Sequence, residues 1–469
     1  AYEYVHTENN TFLPYEQWEK KDGYIIYNFP YENEFAFSLE PLSEQEGQFY
    51  VQLCVEDTKG QVVYSVWEPL GQKGEYTTKT VKTDKGTMTF NVYSDYAKLV
   101  NYEGEDEILN IPEKVEGKAV TIIGTEAARS VYSLSEVVLP QSVTHIEYGA
   151  FRSGINKINL PKNLQYIGDY AFASYKGAEL TMPDNVTYIG YNAFTGSALE
   201  KVTLNSKLRF VAGNAFSAST KLSAINISSN STYKSVDGVL FTSDGKTLVS
   251  YPAGGKGEYT VPNGVTTIGY GAFASNWTNL KKVVLPSSLQ TIDHLAFAYC
   301  EQLTDLALPE SVKYIGHSAF GTDIGMPKGT GVSTIKIGKN VEFIGIDAFS
   351  TFNVASYEVD SANKFYSSSD NGCLMNASGT QLIAAPFAAT GTFEVPFGVC
   401  LLDWHCLQDC NGITELIIPD TVVSIDLGAG VPMGLQKVEI GKGLAYWGNQ
   451  EEFETVPEVN ISPDNPFFK

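Results

Sequence analysis

Histidine, cysteine and basic side chains are all scarce in this 469-residue chain, and each shortage closes off a class of function. The five histidines are His6, His145, His294, His317 and His405. They leave little for acid–base or nucleophilic chemistry, and no G-x-S-x-G, Walker or H-E-x-x-H motif occurs. Six cysteines supply a single Cys-x2-4-Cys pair, Cys406 and Cys410, where a zinc site usually needs two. Only 32 basic side chains stand against 54 acidic ones, a net charge of −22. A surface of that sign repels phosphate backbones, so nucleic acid is not an expected partner. No apolar run approaches the 18 or so residues of a membrane span, so insertion into a bilayer is not expected either. The chain opens with Ala1 and shows no leader, and it is read as an extracellular or cell-surface chain whose signal sequence has been removed.

What the chain does have is a repeat. The pair Ala-Phe, four residues after Ile-Gly or a close variant, recurs as IEYGAF (to Phe151), IGDYAF (to Phe172), IGYNAF (to Phe194) and VAGNAF (to Phe216). It returns as IGYGAF (Phe273), IDHLAF (Phe297), IGHSAF (Phe320) and IGIDAF (Phe349). Where nothing is inserted the phenylalanines stand about 21 to 24 residues apart, a solenoid period. A unit that short cannot bury its own apolar face, and stacked copies share one core instead. Each unit has two halves. The first, L-x-x-I-x-I/L-P, as in LSEVVLP (Leu134 to Pro140), is a short strand stopped by a proline that lacks an N–H. The second, V-x-x-I-G-x-x-A-F, is expected to turn the chain through its glycine, with Ala packing small against large Phe between coils.

Residues 1–86 carry none of this. They alternate apolar and polar residues in short runs, and Cys54 to Trp67 reads as two strands joined at Lys59-Gly60, so a small β-sandwich-like domain is expected there. The solenoid is expected over 87–469, about fourteen units. Two interruptions, near 230–252 and 363–386, both read as a β-hairpin set within the array, and the final ISPDNPFFK matches the opening of the same element.

The joint pattern L-x-x-I-x-I-P, V-x-x-I-G-x-x-A-F and x-x-C-x-x-L resembles the BspA-like class of leucine-rich repeats over about four-fifths of the chain. The resemblance implies a right-handed solenoid with a parallel β-sheet on its concave face and short helical turns or loops on the convex side. It also implies a surface or secreted protein of host-associated bacteria that binds other proteins, as in adhesion. The class has no shared catalytic residues, so no enzyme activity, metal or cofactor is expected. Cys406-Leu407 and Ala429-Gly430 stand where Ala-Phe is expected, so the array is less regular toward its end.

Two sets of residues are candidates for contact with a ligand. On the concave strands the residue between paired apolar positions is Asn159, Thr181, Thr203 and Asn226 early on, then Lys336, Glu358, Glu394 and Glu439. The later, acidic part would favour a basic protein segment, although Thr and Asn are also ordinary sheet-surface residues. Just before the turn isoleucine stand His145, Tyr166, Tyr188, Phe210, Thr267, Thr291, Tyr314 and Phe343. Stacked coils would align them into an aromatic ladder, read either as a half-buried stripe or as a platform on which Tyr166 and Tyr188 stack against a sugar. The main expectation is an extracellular protein partner bound by the solenoid, and the alternative is a glycan. The cysteines at 300, 373, 406 and 410 fall at core positions and read as buried thiols, with a disulfide within Cys400, Cys406 and Cys410 as the alternative.

Overall fold

The computed structural model describes residues 75–468, apart from 229, 277–278, 322–333, 346, 350–353, 404–405, 408–409, 427–429 and 449, and six short strands before residue 75. By contacts the chain divides into residues 1–78 with 92–96, and residues 79–91 with 97–469. In the first unit Glu19–Lys21 pairs with Tyr24–Ile26, Gly47–Val51 with Glu68–Lys73, and Cys54–Glu56 with Val62–Tyr64, all antiparallel. The β domain expected there otherwise lies outside the described residues.

The second unit is a parallel β-solenoid of about 15 turns. Each turn places two strands in two separate ladders. The first ladder is built from the L-x-x-I-x-I segments: Glu136–Val138 pairs with Lys157–Asn159, Glu179–Thr181 with Lys201–Leu204, and Lys201–Leu204 with Ala224–Ile227, all parallel. The second is built from the two residues before the turn glycine, as His145–Ile146, Tyr166–Ile167, Tyr188–Ile189 and Phe210–Val211. Between them the proline ends one strand, and its carbonyl accepts the amide three residues on, as in Leu164 N to Pro161 O at 3.0 Å. Inward side chains from both ladders close the core. Leu164, Ile167, Ala171 and Phe172 are fully buried in one coil, and each large side chain contributes about 1.5–3 kcal/mol by leaving water.

Where short helical turns or loops were expected, the described residues form hydrogen-bonded turns and not helices, with a 3-10 segment at Gln450–Phe453. The reason is a left-handed residue just before the Ala-Phe pair: φ is 55° at Tyr170, 53° at Asn192, 55° at Leu295 and 47° at Ser318, which a helix cannot continue through. The turn glycine is accordingly not the bend itself. A Cβ on Gly316 would lie 2.5 Å from the backbone nitrogen of His294, so glycine lets one coil seat against the previous one. Between coils phenylalanine stacks on phenylalanine, Phe151 on Phe172 at 5.8 Å and Phe172 on Phe194 at 5.3 Å, and the N–H groups of Phe151, Phe172, Phe194, Phe273, Phe297 and Phe320 each donate to the Ala carbonyl of the next coil.

Each interruption is a three-stranded meander, one strand more than a hairpin. Tyr233–Val236, Val239–Thr242 and Thr247–Ser250 pair antiparallel, and the last rejoins the parallel second ladder at Thr267–Ile268. Tyr366–Ser368, Leu374–Asn376 and Gln381–Ala384 repeat this arrangement. An asparagine opens both. Asn363 Nδ2 donates to Gly338 O and Val341 O, while its Oδ1 accepts from Phe365 N and Tyr366 N. Asn230 does the same one insertion earlier, clamping the new segment to the coil below.

Candidate functional site

A first-ladder strand alternates its side chains, so one apolar residue points inward and the two beside it point out. In Glu179–Thr181 that leaves Leu180 buried between exposed Glu179 and Thr181. Parallel pairing in strict register then lines up like positions of successive coils roughly 4.8 Å apart. Thr181, Thr203 and Asn226 are direct neighbours in this way, a short neutral polar row.

The other candidates do not join that row. Asn159 lies on a separate three-stranded segment and folds back onto the coil below. Its Oδ1 accepts from Leu139 N at 2.7 Å, and its Nδ2 donates to Leu139 O at 2.9 Å. Lys336 and Glu358 face each other on a third segment, 3.6 Å apart, and largely answer each other's charge. Glu394 and Glu439 share a fourth, with Ile417 in register between them. Glu439 is engaged there by Lys437 at 2.8 Å and accepts from Asn460 Nδ2 at 3.1 Å, and the lysine holds its carboxyl below the usual range.

The outward position two residues earlier went unread in the sequence, and it carries a pattern. Glu136 faces Lys157, Glu179 faces Lys201, and Glu258 faces Lys282. Farther on, Glu415 faces Lys437, and Lys437 faces Glu458. Within these segments opposite signs therefore meet across neighbouring coils, and elsewhere the position is uncharged, as where Lys201 meets Ala224. Contacts such as Lys157 Nζ to Glu136 Oε1 at 2.7 Å are exposed and individually weak, but a slip by one coil would set like charges opposite each other. Listing the residue two places before each Asn or Thr candidate would have revealed it.

On the second ladder the aromatic row forms as expected: His145 to Tyr166 at 5.7 Å, Tyr166 to Tyr188 at 4.6 Å and Tyr188 to Phe210 at 5.0 Å, all stacked. Stacking covers the ring faces. Tyr188 is buried between its neighbours, so the row turns edges and not faces toward solvent, and a sugar ring needs a face. Burial also lowers the pKa of His145 to about 4, while Thr144 Oγ1 lies 2.8 Å from its Nδ1. His294 and His317 come within 5.0 Å between ring centroids, and no cluster of three or more metal-ligating side chains is found among the described residues. Cys300, Cys373 and Cys400 are free thiols. Cys300, Cys373, Cys406 and Cys410 are buried, which pushes Cys300 up to about 12 and Cys373 up to about 11.

A family model described as the BspA type Leucine rich repeat region matches the chain in six copies, over residues 121–243 and 257–376, just over half of its length. No curated protein matches the sequence. Among solved structures, a leucine-rich repeat protein from Eubacterium ventriosum is 18% identical and has a TM-score of 0.46, covering 80% of this chain and 95% of its own. The pneumococcal vaccine antigen PcpA is 20% identical with a TM-score of 0.46, covering 82% and 98%. A leucine-rich repeat protein from Bacteroides ovatus is 17% identical with a TM-score of 0.37, covering 81% and 99%.

Proposed function

We propose that this chain, which belongs to the BspA type leucine-rich repeat family, is a non-catalytic scaffold that presents the outward face of its first ladder to another polypeptide at or beyond the cell surface. The observation that carries this reading is the in-register row of Thr181, Thr203 and Asn226 beside the opposite charges of Glu179 and Lys201. Such a face offers hydrogen-bonding groups at a fixed spacing on a rigid support, which suits recognition of an extended surface better than enclosure of a small molecule. The hydroxyls and amide along it accept or donate with little rearrangement, and the flanking ion pairs keep the face wet and soluble. Extracellular placement and a host-associated bacterial source belong to the same proposal. No helix among the described residues is long and apolar enough to cross a membrane.

The test is a capture screen with the immobilised chain against extracellular proteins and, in parallel, a glycan panel. The reading expects a protein ligand whose capture is lost when Thr181, Thr203 and Asn226 are all changed to Lys, outward-facing substitutions at two exposed positions and one half-buried one. Capture of glycans only, or protein capture indifferent to the triple change, would overturn it.

A further inference from the structure

The acidity of the chain is unevenly placed. Residues 121–349 carry 17 acidic and 18 basic side chains, whereas residues 350–469 carry 15 acidic and 4 basic, so half of the net −22 lies in the last quarter. Exposed large apolar side chains follow the same division. Among the described residues seven lie beyond residue 350, including Phe397 at 81% and Met433 at 82% exposure, against five between 121 and 349. The two trends meet in a surface groove of about 520 Å³ at the corner where the last first-ladder strands turn toward the second ladder. Phe397 forms one wall, Ile417, Pro419 and Ile461 supply apolar floor, and Glu439 lies at the rim. Glu394 stands one strand from Ile417 and has no ion pair among the described residues. Lys437 sits among Glu415, Glu439 and Glu458, so the rim stays negative even after its ion pairs are counted.

We propose that this groove docks an extended polypeptide segment carrying a large apolar side chain beside a lysine or arginine. The apolar group would cover Phe397 and Ile417, removing from water surface that nothing in the described chain covers, while the cation meets Glu394, with Glu439 two strands away adding to the negative rim. A groove of this volume lies within the range of sites that bury small groups. An anionic glycan or nucleic acid is disfavoured by the same charges. The proposal rests on the reading of the chain as a protein-binding scaffold and names both the place and the partner chemistry.

The experiment measures fluorescence anisotropy of the full chain with three labelled hexapeptides, Gly-Lys-Leu-Lys-Leu-Gly, Gly-Glu-Leu-Glu-Leu-Gly and Gly-Lys-Gly-Lys-Gly-Gly. The first alone should bind, less tightly in 0.5 M NaCl, and Phe397→Ala or Glu394→Gln should weaken it by about tenfold or more. Both residues are exposed, so neither change removes core packing. Equal binding of all three peptides, no binding of the first, or indifference to Phe397→Ala overturns the groove. A captured protein that depends on the Thr181 row but not on Phe397 would overturn the groove while leaving the scaffold reading intact. A captured protein indifferent to both would overturn both.

Discussion

From Phe151 to Phe349 the coils stack ring on ring, with neighbouring phenylalanine centroids 4.9 to 5.8 Å apart on either side of the first meander. Beyond residue 354 the same backbone place passes to Ala385 and Leu407, marked by Ala385 N donating to Cys406 O as Phe151 N donates to Ala171 O upstream. Both stretches nevertheless build the two parallel ladders, and Leu416, Val438, Ile425 and Leu444 are as fully buried as their counterparts upstream. The inward aliphatic residues therefore suffice for the coil. The phenylalanine row adds regularity, and where it stops, the family model also stops, at residue 376. Charge separates the stretches too: near balance in the first, strong acidity in the second.

The sharpest way to break this comparison is to empty one turn position in each stretch. Phe194→Ala removes a fully buried ring together with two stacked contacts, and a loss of about 3–5 kcal/mol is expected. Leu407→Ala empties the corresponding place without a ring stack, and about 2–3 kcal/mol is expected. Urea denaturation of both variants checks the order. Equal losses would mean that the phenylalanine row contributes nothing beyond the area it buries.

A pH difference should follow from the second ladder. His145 is held neutral in the regular stretch because burial lowers its pKa to about 4, against about 6.5 in an unfolded chain. Between those values the unfolded chain takes up a proton that the folded one refuses. Its contribution is thus complete above pH 6.5 and disappears as the pH falls toward 4, by up to about 3 kcal/mol. His145→Phe should keep the stack on Tyr166 and flatten that part of the stability profile. A profile of unchanged steepness would show that the ring is accessible to protons in the folded state.

The period, the first strand of each unit, the buried cysteines and the aromatic row were legible in the sequence, because each depends on spacing within one coil; the two-residue second strand was read only as a turn. Less was legible wherever the answer depends on how one coil meets the next. The turn glycine looked like the bend, yet the left-handed φ sits two residues on, at Ser318 and its equivalents, and Gly316 is needed because His294 lies beneath it. Thr181, Thr203 and Asn226 do stand in register, but nothing in the spacing showed that Asn159 would turn back onto Leu139. The asymmetry is testable in adjacent residues. Gly316→Ala should destabilise by about 1–3 kcal/mol through contact with the lower coil, and Ser318→Gly should stabilise by about 0.5–1 kcal/mol by relieving its φ of 47°. Thermal unfolding of both would test the assignment, and a stabilising Gly316→Ala would reverse it.

The smallest effect expected concerns the facing opposite charges, which the regular and acidic stretches share. Glu136 and Lys157 are paired across adjacent strands, and an exposed pair of this kind contributes at most about 1 kcal/mol. Its value to the fold lies in discrimination. Glu136→Lys alone sets two lysines opposite each other and should lower stability slightly, more so at low salt. Adding Lys157→Glu restores opposite signs in the reversed order and should recover most of the loss, because the pairing depends on opposite signs and not on which strand carries which sign. A double variant no more stable than the single one would show that local surroundings fix the sign at each position. In the acidic stretch the corresponding lysine, Lys437, already serves two carboxylates at 2.9 and 2.8 Å. Lys437→Glu there should have no reciprocal partner able to rescue it, because Glu415 and Glu439 would both have to change sign.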